Sequence, residues 1–204
     1  MLFINDVLFI YNVSRINRFP AFIVDKCQIK HLIQKKPAPP NLKAQLKLHK
    51  IDIPIQPVIN NRTAPAYKVA KYLTKILSQH ITLPNQYVLT NSTNLANDLT
   101  KLEIHENHCL ITFDIKDLYV NIPVSETLNI VKTKLLQNND THIAQQIFTV
   151  LKEVLSQNYF TFQQRIYQPE QGIAMGSPIS GIIAKIFLQH FEDKNIKHLL
   201  DTKT

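Results

Sequence analysis

The three glycines of this 204-residue chain, Gly172, Gly176 and Gly181, lie within ten residues of one another. Because no glycine serves an ordinary turn elsewhere, these positions mark places where the backbone must approach another part of the molecule closely. Ser177 and Pro178 are typical of the N-cap and first turn of a helix. Apolar residues then repeat at helical spacing at Ile179, Ile182, Ile183, Ile186 and Phe187. The segment predicts a glycine-rich loop that leads directly into a buried helix.

A second distinctive segment lies about 57 residues before this loop, where the apolar run 110–113 ends in Asp114. Such a run predicts a short strand that is buried on at least one side. A carboxylate at its end is costly unless something neutralises it. Carboxylate oxygens are the hard ligands that Mg²⁺ prefers, so Asp114 is the first candidate for a metal ligand. Capping of the following turn is the structural alternative.

Helical periodicity organises other parts of the chain. Residues 66–80 predict a helix with an apolar face and with three lysines, Lys68, Lys71 and Lys75, on the opposite face. This basic stripe could lie along nucleic acid, or it could be the solvated face of an ordinary amphipathic helix. Two further helices are predicted near residues 125–137 and 141–157.

Prolines and charge divide the chain. Three prolines within residues 37–40 mark a boundary, because they cannot continue a helix or a central strand. Residues 1–101 hold 14 Lys and Arg against 4 Asp and Glu, whereas residues 102–204 hold 9 against 11. This distribution suits an enzyme that binds phosphates with its first half and metal cations with its second half. Solvated lysines on a soluble protein explain it equally well.

Four segments, in the same order, resemble those of reverse transcriptases, most closely the enzymes of Penelope-like retroelements. Residues 113–123, Phe-Asp-Ile-Lys-Asp-Leu-Tyr-Val-Asn-Ile-Pro, resemble motif A of a right-hand polymerase palm, and residues 171–178, Gln-Gly-Ile-Ala-Met-Gly-Ser-Pro, resemble motif B. Residues 47–61 are similar to the fingers segment, and residues 158–167 to the hairpin before motif B. The resemblance covers about three quarters of the chain.

The resemblance implies an α+β fold, in which an incomplete antiparallel palm sheet is flanked by helices. Residues 1–34, which precede the proline boundary and lie outside the resemblance, would form an N-terminal lead-in of unknown role. Residues 35–109 would form a basic, fingers-like region, and residues 110–204 a partial palm with motifs A and B.

The resemblance also assigns roles to single residues. Asp114 would be catalytic and would bind Mg²⁺ in a two-metal nucleotidyl transfer. Tyr119 would be the steric gate against the ribose 2′ hydroxyl, so that the substrate would be a deoxynucleotide; an aromatic plug that closes the turn is the alternative. Further contacts with the nucleotide are expected from Gln171, Gly172, Lys47 and Arg62. Support for template and primer is expected from Gly176, Ser177, Pro178, Lys68, Lys71 and Lys75.

Two departures from the family pattern bear on activity. The fingers segment has Gln56 before Pro57, where these enzymes usually carry an arginine, so the charge and the bidentate fork of a guanidinium are missing. In addition, no two adjacent aspartates occur in the sequence, although these polymerases need such a pair downstream of motif B. We therefore expect a retroelement fragment that lacks the C-terminal palm, the thumb and an endonuclease domain, and that is inactive alone.

The expected function is part of an RNA-directed DNA polymerase whose partners are an RNA template, a DNA primer and deoxynucleotides. A catalytically inactive nucleic-acid-binding remnant and a non-enzymatic structural domain remain alternatives. The sequence leaves open whether the chain is a truncated reading frame or a degenerate copy. Cys27 and Cys109 lack partners at metal-ligand spacing, and the apolar opening 1–11 is too short for a membrane span. We expect no membrane partner, an intracellular location and, by resemblance alone, a nuclear one.

Overall fold

The computed structural model describes residues 2–3, 29–48, 51–83, 89, 91–103, 111–112 and 114–201. The helices in these ranges are α1 (Ile29–Leu32), α2 (Tyr67–His80), α3 (Ser92–Leu99), α4 (Leu118–Asn121), α5 (Val124–Asn138), α6 (Thr141–Ser156) and α7 (Ser180–Asp201). The strands are β1 (Leu2–Phe3), β2 (Asn41–Leu46), β3 (Ile55–Asn60), β4 (Phe160–Phe162) and β5 (Arg165–Gln168). The expected α+β class is confirmed, whereas a polymerase fold remains a proposal.

The described strands form one sheet in the order β1-β5-β4-β2-β3. The pairs β1 with β5, β4 with β5, and β2 with β3 are antiparallel, but β2 and β4 are parallel where Asn41 faces Thr161. The expected antiparallel sheet is therefore corrected to a mixed one, because this single pairing is parallel. The reason is that the hairpins β2–β3 and β4–β5 meet side by side, and the Thr161 N–H donates to the Pro40 carbonyl at 2.7 Å.

One hydrophobic core holds the helices together. Helices α2, α5, α6 and α7 all contribute fully buried side chains, among them Leu73, Leu77, Leu135, Ile147, Leu151, Ile183 and Ile186. Full burial of each such side chain stabilises the fold by about 1.5 to 3 kcal/mol. The helices predicted at 66–80, 125–137 and 141–157 are confirmed as α2, α5 and α6, and the predicted apolar face of α2 lies against this core.

Asn139 fixes the relative position of α2 and α5. Its amide nitrogen donates to the carbonyl of His80 at 3.0 Å and to that of Leu135 at 2.9 Å. These two acceptors belong to the last turns of different helices, where carbonyls lack an intrahelical partner. The side chain thereby stabilises both helix ends at once.

The strand predicted at 110–114 is not found in its described residues. Ile111, Thr112 and Asp114 have irregular structure, and 63% of Ile111 is exposed, while Leu110 and Phe113 lie outside the described residues. A short apolar run does not by itself determine a strand, because its pattern does not distinguish a strand from other buried structure. The prolines at 37–40 do lie between α1 and β2, but the division into residues 1–34, 35–109 and 110–204 remains a prediction.

Candidate functional site

The first glycine of the loop is packed against the turn that carries Tyr119. Gly172 has a φ angle of +76°, and a Cβ atom there would overlap the carbonyl oxygen of Val120 and lie 2.6 Å from that of Tyr119. The N–H of Ile173 donates to the Tyr119 carbonyl at 2.8 Å. On the other side, the Asn158 side chain donates to the carbonyl of Gly172 at 3.0 Å. Only glycine satisfies both the positive φ angle and the close approach.

The second glycine is packed against strand β3. Gly176 has a φ angle of +108°, and a Cβ atom there would overlap the carbonyl oxygen of Ile59. The N–H of Ile59 donates to the carbonyl of Met175 at 2.8 Å, and the Gln56 amide nitrogen lies 2.8 Å from the Met175 sulfur. The predicted close approach is thus confirmed at Gly172 and Gly176. It is wrong at Gly181, because no atom lies within 4 Å of a Cβ there.

The junction between the loop and α7 differs from its prediction. The helix begins at Ser180, so Ser177 and Pro178 lie in the preceding turn rather than at the N-cap and first helical position. The buried Ser180 hydroxyl donates to the Ala174 carbonyl at 2.7 Å and closes the loop on itself. The Thr74 hydroxyl of α2 lies 3.1 Å from the carbonyl of Pro178. Ser180 was missed because a small polar residue inside an apolar repeat gives no distinct sequence signal.

The space behind the loop is too small for a ligand. A cavity of about 30 Å³ lies between Pro40, Asn61, Tyr159 and Ser177, which is room for a single water molecule. Burial raises the pKa of the Tyr159 phenol above its ordinary value. A nucleotide would therefore have to bind on the outer side of the loop, next to Gln171, whose side chain is exposed.

Asp114 does not lie at the end of a buried strand, as the sequence predicted, and its role as a metal ligand remains a prediction. Its side chain is exposed, and Asp117, with a φ angle of +52°, directly precedes α4. Since the Asp114 carboxylate is exposed to water, no buried charge requires a cation. Among the described residues, no group of three or more His, Cys, Asp or Glu side chains could hold a metal ion. The side chains described therefore do not fit a two-metal Mg²⁺ site.

The other residues predicted to contact the nucleotide or the template and primer differ in how exposed their side chains are. Lys71 and Lys75 are exposed along α2, whereas the half-buried Lys68 ammonium donates to the carbonyl of Ile33 at 3.0 Å. Tyr119 and Lys47 are half-buried. The basic face of α2 therefore offers two lysines to a ligand, and Lys68 serves mainly to hold the segment after α1.

Arg62 is exposed at the turn after β3. Its carbonyl accepts a hydrogen bond from the Gln34 side chain at 2.8 Å, and its N–H donates to the Asn60 side chain at 3.2 Å. These bonds use only the Arg62 backbone. The turn is held in place while the guanidinium remains exposed.

The chain matches no protein-family model, and a search of curated proteins finds no match either. Within the described ranges, no helix has both the length and the apolar character needed to cross a lipid bilayer.

Proposed function

We propose that this chain is the fingers and the motif A–motif B part of the palm of a reverse transcriptase, and that it binds a template–primer and an incoming deoxynucleotide. One observation carries the proposal. The glycine-rich loop, which resembles motif B, is joined at Gly172 to the motif A turn and at Gly176 to the fingers strand. Gln56 and Met175 are in contact although 119 positions separate them. The three segments that the resemblance assigns to one site therefore meet around one loop.

The same geometry favours binding without catalysis as the activity of these 204 residues. Gln56 is half-buried against Met175 and carries no charge, so it cannot pair with a triphosphate as an arginine does. Asp114 stands without two further acidic or histidine partners among the described side chains. Synthesis of DNA with Mg²⁺ requires several convergent carboxylates, and the adjacent aspartate pair is absent from the sequence.

Fluorescence anisotropy with an RNA–DNA primer–template at several salt concentrations tests the proposal. We expect weak, salt-sensitive binding without sequence preference, because phosphate contacts dominate such binding. The variant Lys71→Ala/Lys75→Ala should weaken binding and reduce the salt slope of log K by up to about 0.9 for each duplex phosphate that is no longer neutralised. Lys152→Ala/Lys194→Ala, which removes two exposed lysines elsewhere, is the matched control.

Two results would contradict the proposal in different ways. No binding at low salt, or equal salt slopes for the two lysine variants, would favour the non-enzymatic structural domain. Primer extension by the purified chain that Asp114→Asn abolishes would instead show that the site is catalytic, with ligands beyond the described residues.

A further inference from the structure

An open cavity of about 390 Å³ lies between the start of β2 and the turn of the β4–β5 hairpin, and none of its lining residues belongs to the glycine-rich loop. Its walls include Pro39 and Asn41 on one side and Phe162, Gln163 and Gln164 on the other. Cavities of about 300 to 1,000 Å³ are the size that small ligands occupy. Neither acidic nor basic side chains line it, so we expect the part of a ligand that enters the cavity to be uncharged.

The side chains that line the cavity suit a ligand with a flat ring and polar edges. The Phe162 ring is 45% exposed at the end of β4, and alternation along the strand places it on the same face as Phe160, which stacks on Tyr167 with a centroid distance of 5.7 Å. An exposed aromatic face is the platform on which nucleobases stack in single-stranded nucleic acids. The Asn41 carboxamide oxygen contacts the Thr161 hydroxyl, so its NH₂ group is the one available to a base edge.

The turn that supplies the two glutamines is strained. Gln163 and Gln164 have φ angles of +49° and +62°, and they form the two-residue connection between Phe162 and Arg165. Both positive φ angles define the hairpin turn in which Asn-Gly is the preferred pair. This chain instead places two long amide side chains there, beside the cavity. Strain retained at a cavity is the kind of outlier from which a binding role can be inferred.

Two lysines lie close in sequence to the residues that line the cavity. Lys35 and Lys36 are exposed and precede the lining residues Ala38 and Pro39 by only a few positions. A neutral pocket with an aromatic platform, amide edges and adjacent cations matches a base with a phosphate beside it.

We infer that this cavity binds one unpaired nucleobase of a single-stranded nucleic acid. The base stacks on Phe162, the amides of Asn41, Gln163 and Gln164 contact its edge, and Lys35 and Lys36 contact the flanking phosphates. The inference rests on the proposed function only for the class of polymer, because neither the glycine-rich loop nor the exposed lysines of α2 line the cavity.

The test uses the full chain and a short single-stranded oligonucleotide that carries one 2-aminopurine, a fluorescent base whose emission falls when it stacks. We expect quenching on binding by the wild type. Phe162→Leu, which keeps apolar bulk but removes the ring, should abolish the quenching and weaken affinity by about 5- to 150-fold, the range that one base stack provides. Phe162→Tyr should retain both. Thermal melts check that each variant is folded.

The possible outcomes distinguish the cavity inference from the proposed function. Equal affinity and quenching for wild type and Phe162→Leu would overturn the inference, even if duplex binding still depended on Lys71 and Lys75. Ring-dependent binding of the single strand without any lysine-dependent duplex binding would support the cavity and contradict the proposed function. Equally tight, ring-dependent binding of the free nucleoside monophosphate would overturn the polymer as occupant and assign the cavity to a free nucleotide.

Discussion

The glycine-rich loop and the Asp114 segment are the two regions on which a polymerase site would depend, and they are held very differently. The loop is enclosed by backbone at Gly172 and Gly176 and is fixed by hydrogen bonds to Tyr119, Ile59 and Asn158. Asp114 is exposed and lies in irregular structure. The loop is therefore held in place by its contacts with the rest of the fold, whereas the Asp114 carboxylate is open to solvent.

The largest effect is expected at Gly172. In Gly172→Ala the new methyl group overlaps the Val120 carbonyl at a positive φ angle, so we expect the free energy of unfolding to fall by about 2 to 5 kcal/mol. Gly181→Ala is the matched control, because it lies in α7 with no atom within 4 Å. That variant should be neutral or more stable by up to about 1 kcal/mol. Urea unfolding measures both, and equal effects would contradict the enclosed loop.

Ser180 should give the next largest loss of stability. In Ser180→Ala the Ala174 carbonyl loses the 2.7 Å hydrogen bond from the buried hydroxyl and keeps only that from the Ser177 N–H at 3.2 Å, which costs about 0.5 to 1.5 kcal/mol. Ser125→Ala, at an exposed position in α5, should change stability by no more than about 0.5 kcal/mol. Urea titrations of the two variants measure both changes in the free energy of unfolding. A destabilisation below about 0.5 kcal/mol at Ser180, roughly the size expected for surface changes, would show that the loop does not depend on this closure.

Substitutions in the turn of the β4–β5 hairpin should increase stability rather than reduce it. Gln163→Asn/Gln164→Gly places the preferred residues at two positive φ angles and should raise stability by about 1 to 2 kcal/mol. Gln163→Ala/Gln164→Ala removes the amides but keeps the strain, so it should bring no such gain. Thermal melts compare the two variants. A melting temperature that rises equally in both would show that the amides, rather than the backbone, are the source of the cost.

The sequence predicted those parts of the molecule that local patterns determine. Helices α2, α5 and α6 follow from apolar periodicity, and the close approaches at Gly172 and Gly176 follow from glycine usage in a chain with so few glycines. The β4–β5 hairpin also lies where the resemblance placed it.

Features that depend on tertiary pairing were not predictable from one sequence. The parallel contact of Asn41 with Thr161 joins segments 120 positions apart. The irregular structure at Ile111 and Asp114 was not predictable either, because a short apolar run does not by itself determine a strand. The hydroxyl of Ser180 likewise acquires its role only when the loop folds back onto Ala174.

The smallest effect is expected at Asp114, and it tests the contrast most directly. Because the carboxylate is exposed, Asp114→Ala should change the free energy of unfolding by no more than about 0.5 kcal/mol, with or without Mg²⁺. Asp140→Ala is the matched comparison, since the Asp140 side chain accepts the N–H of His142 at 2.8 Å and caps α6. Removal of that cap should cost about 0.5 to 2 kcal/mol. Thermal melts of both variants, each with and without Mg²⁺, make the measurement. If Mg²⁺ stabilises the wild type but not Asp114→Ala, Asp114 belongs to a metal site that reaches beyond the described residues, and the contrast with the loop fails.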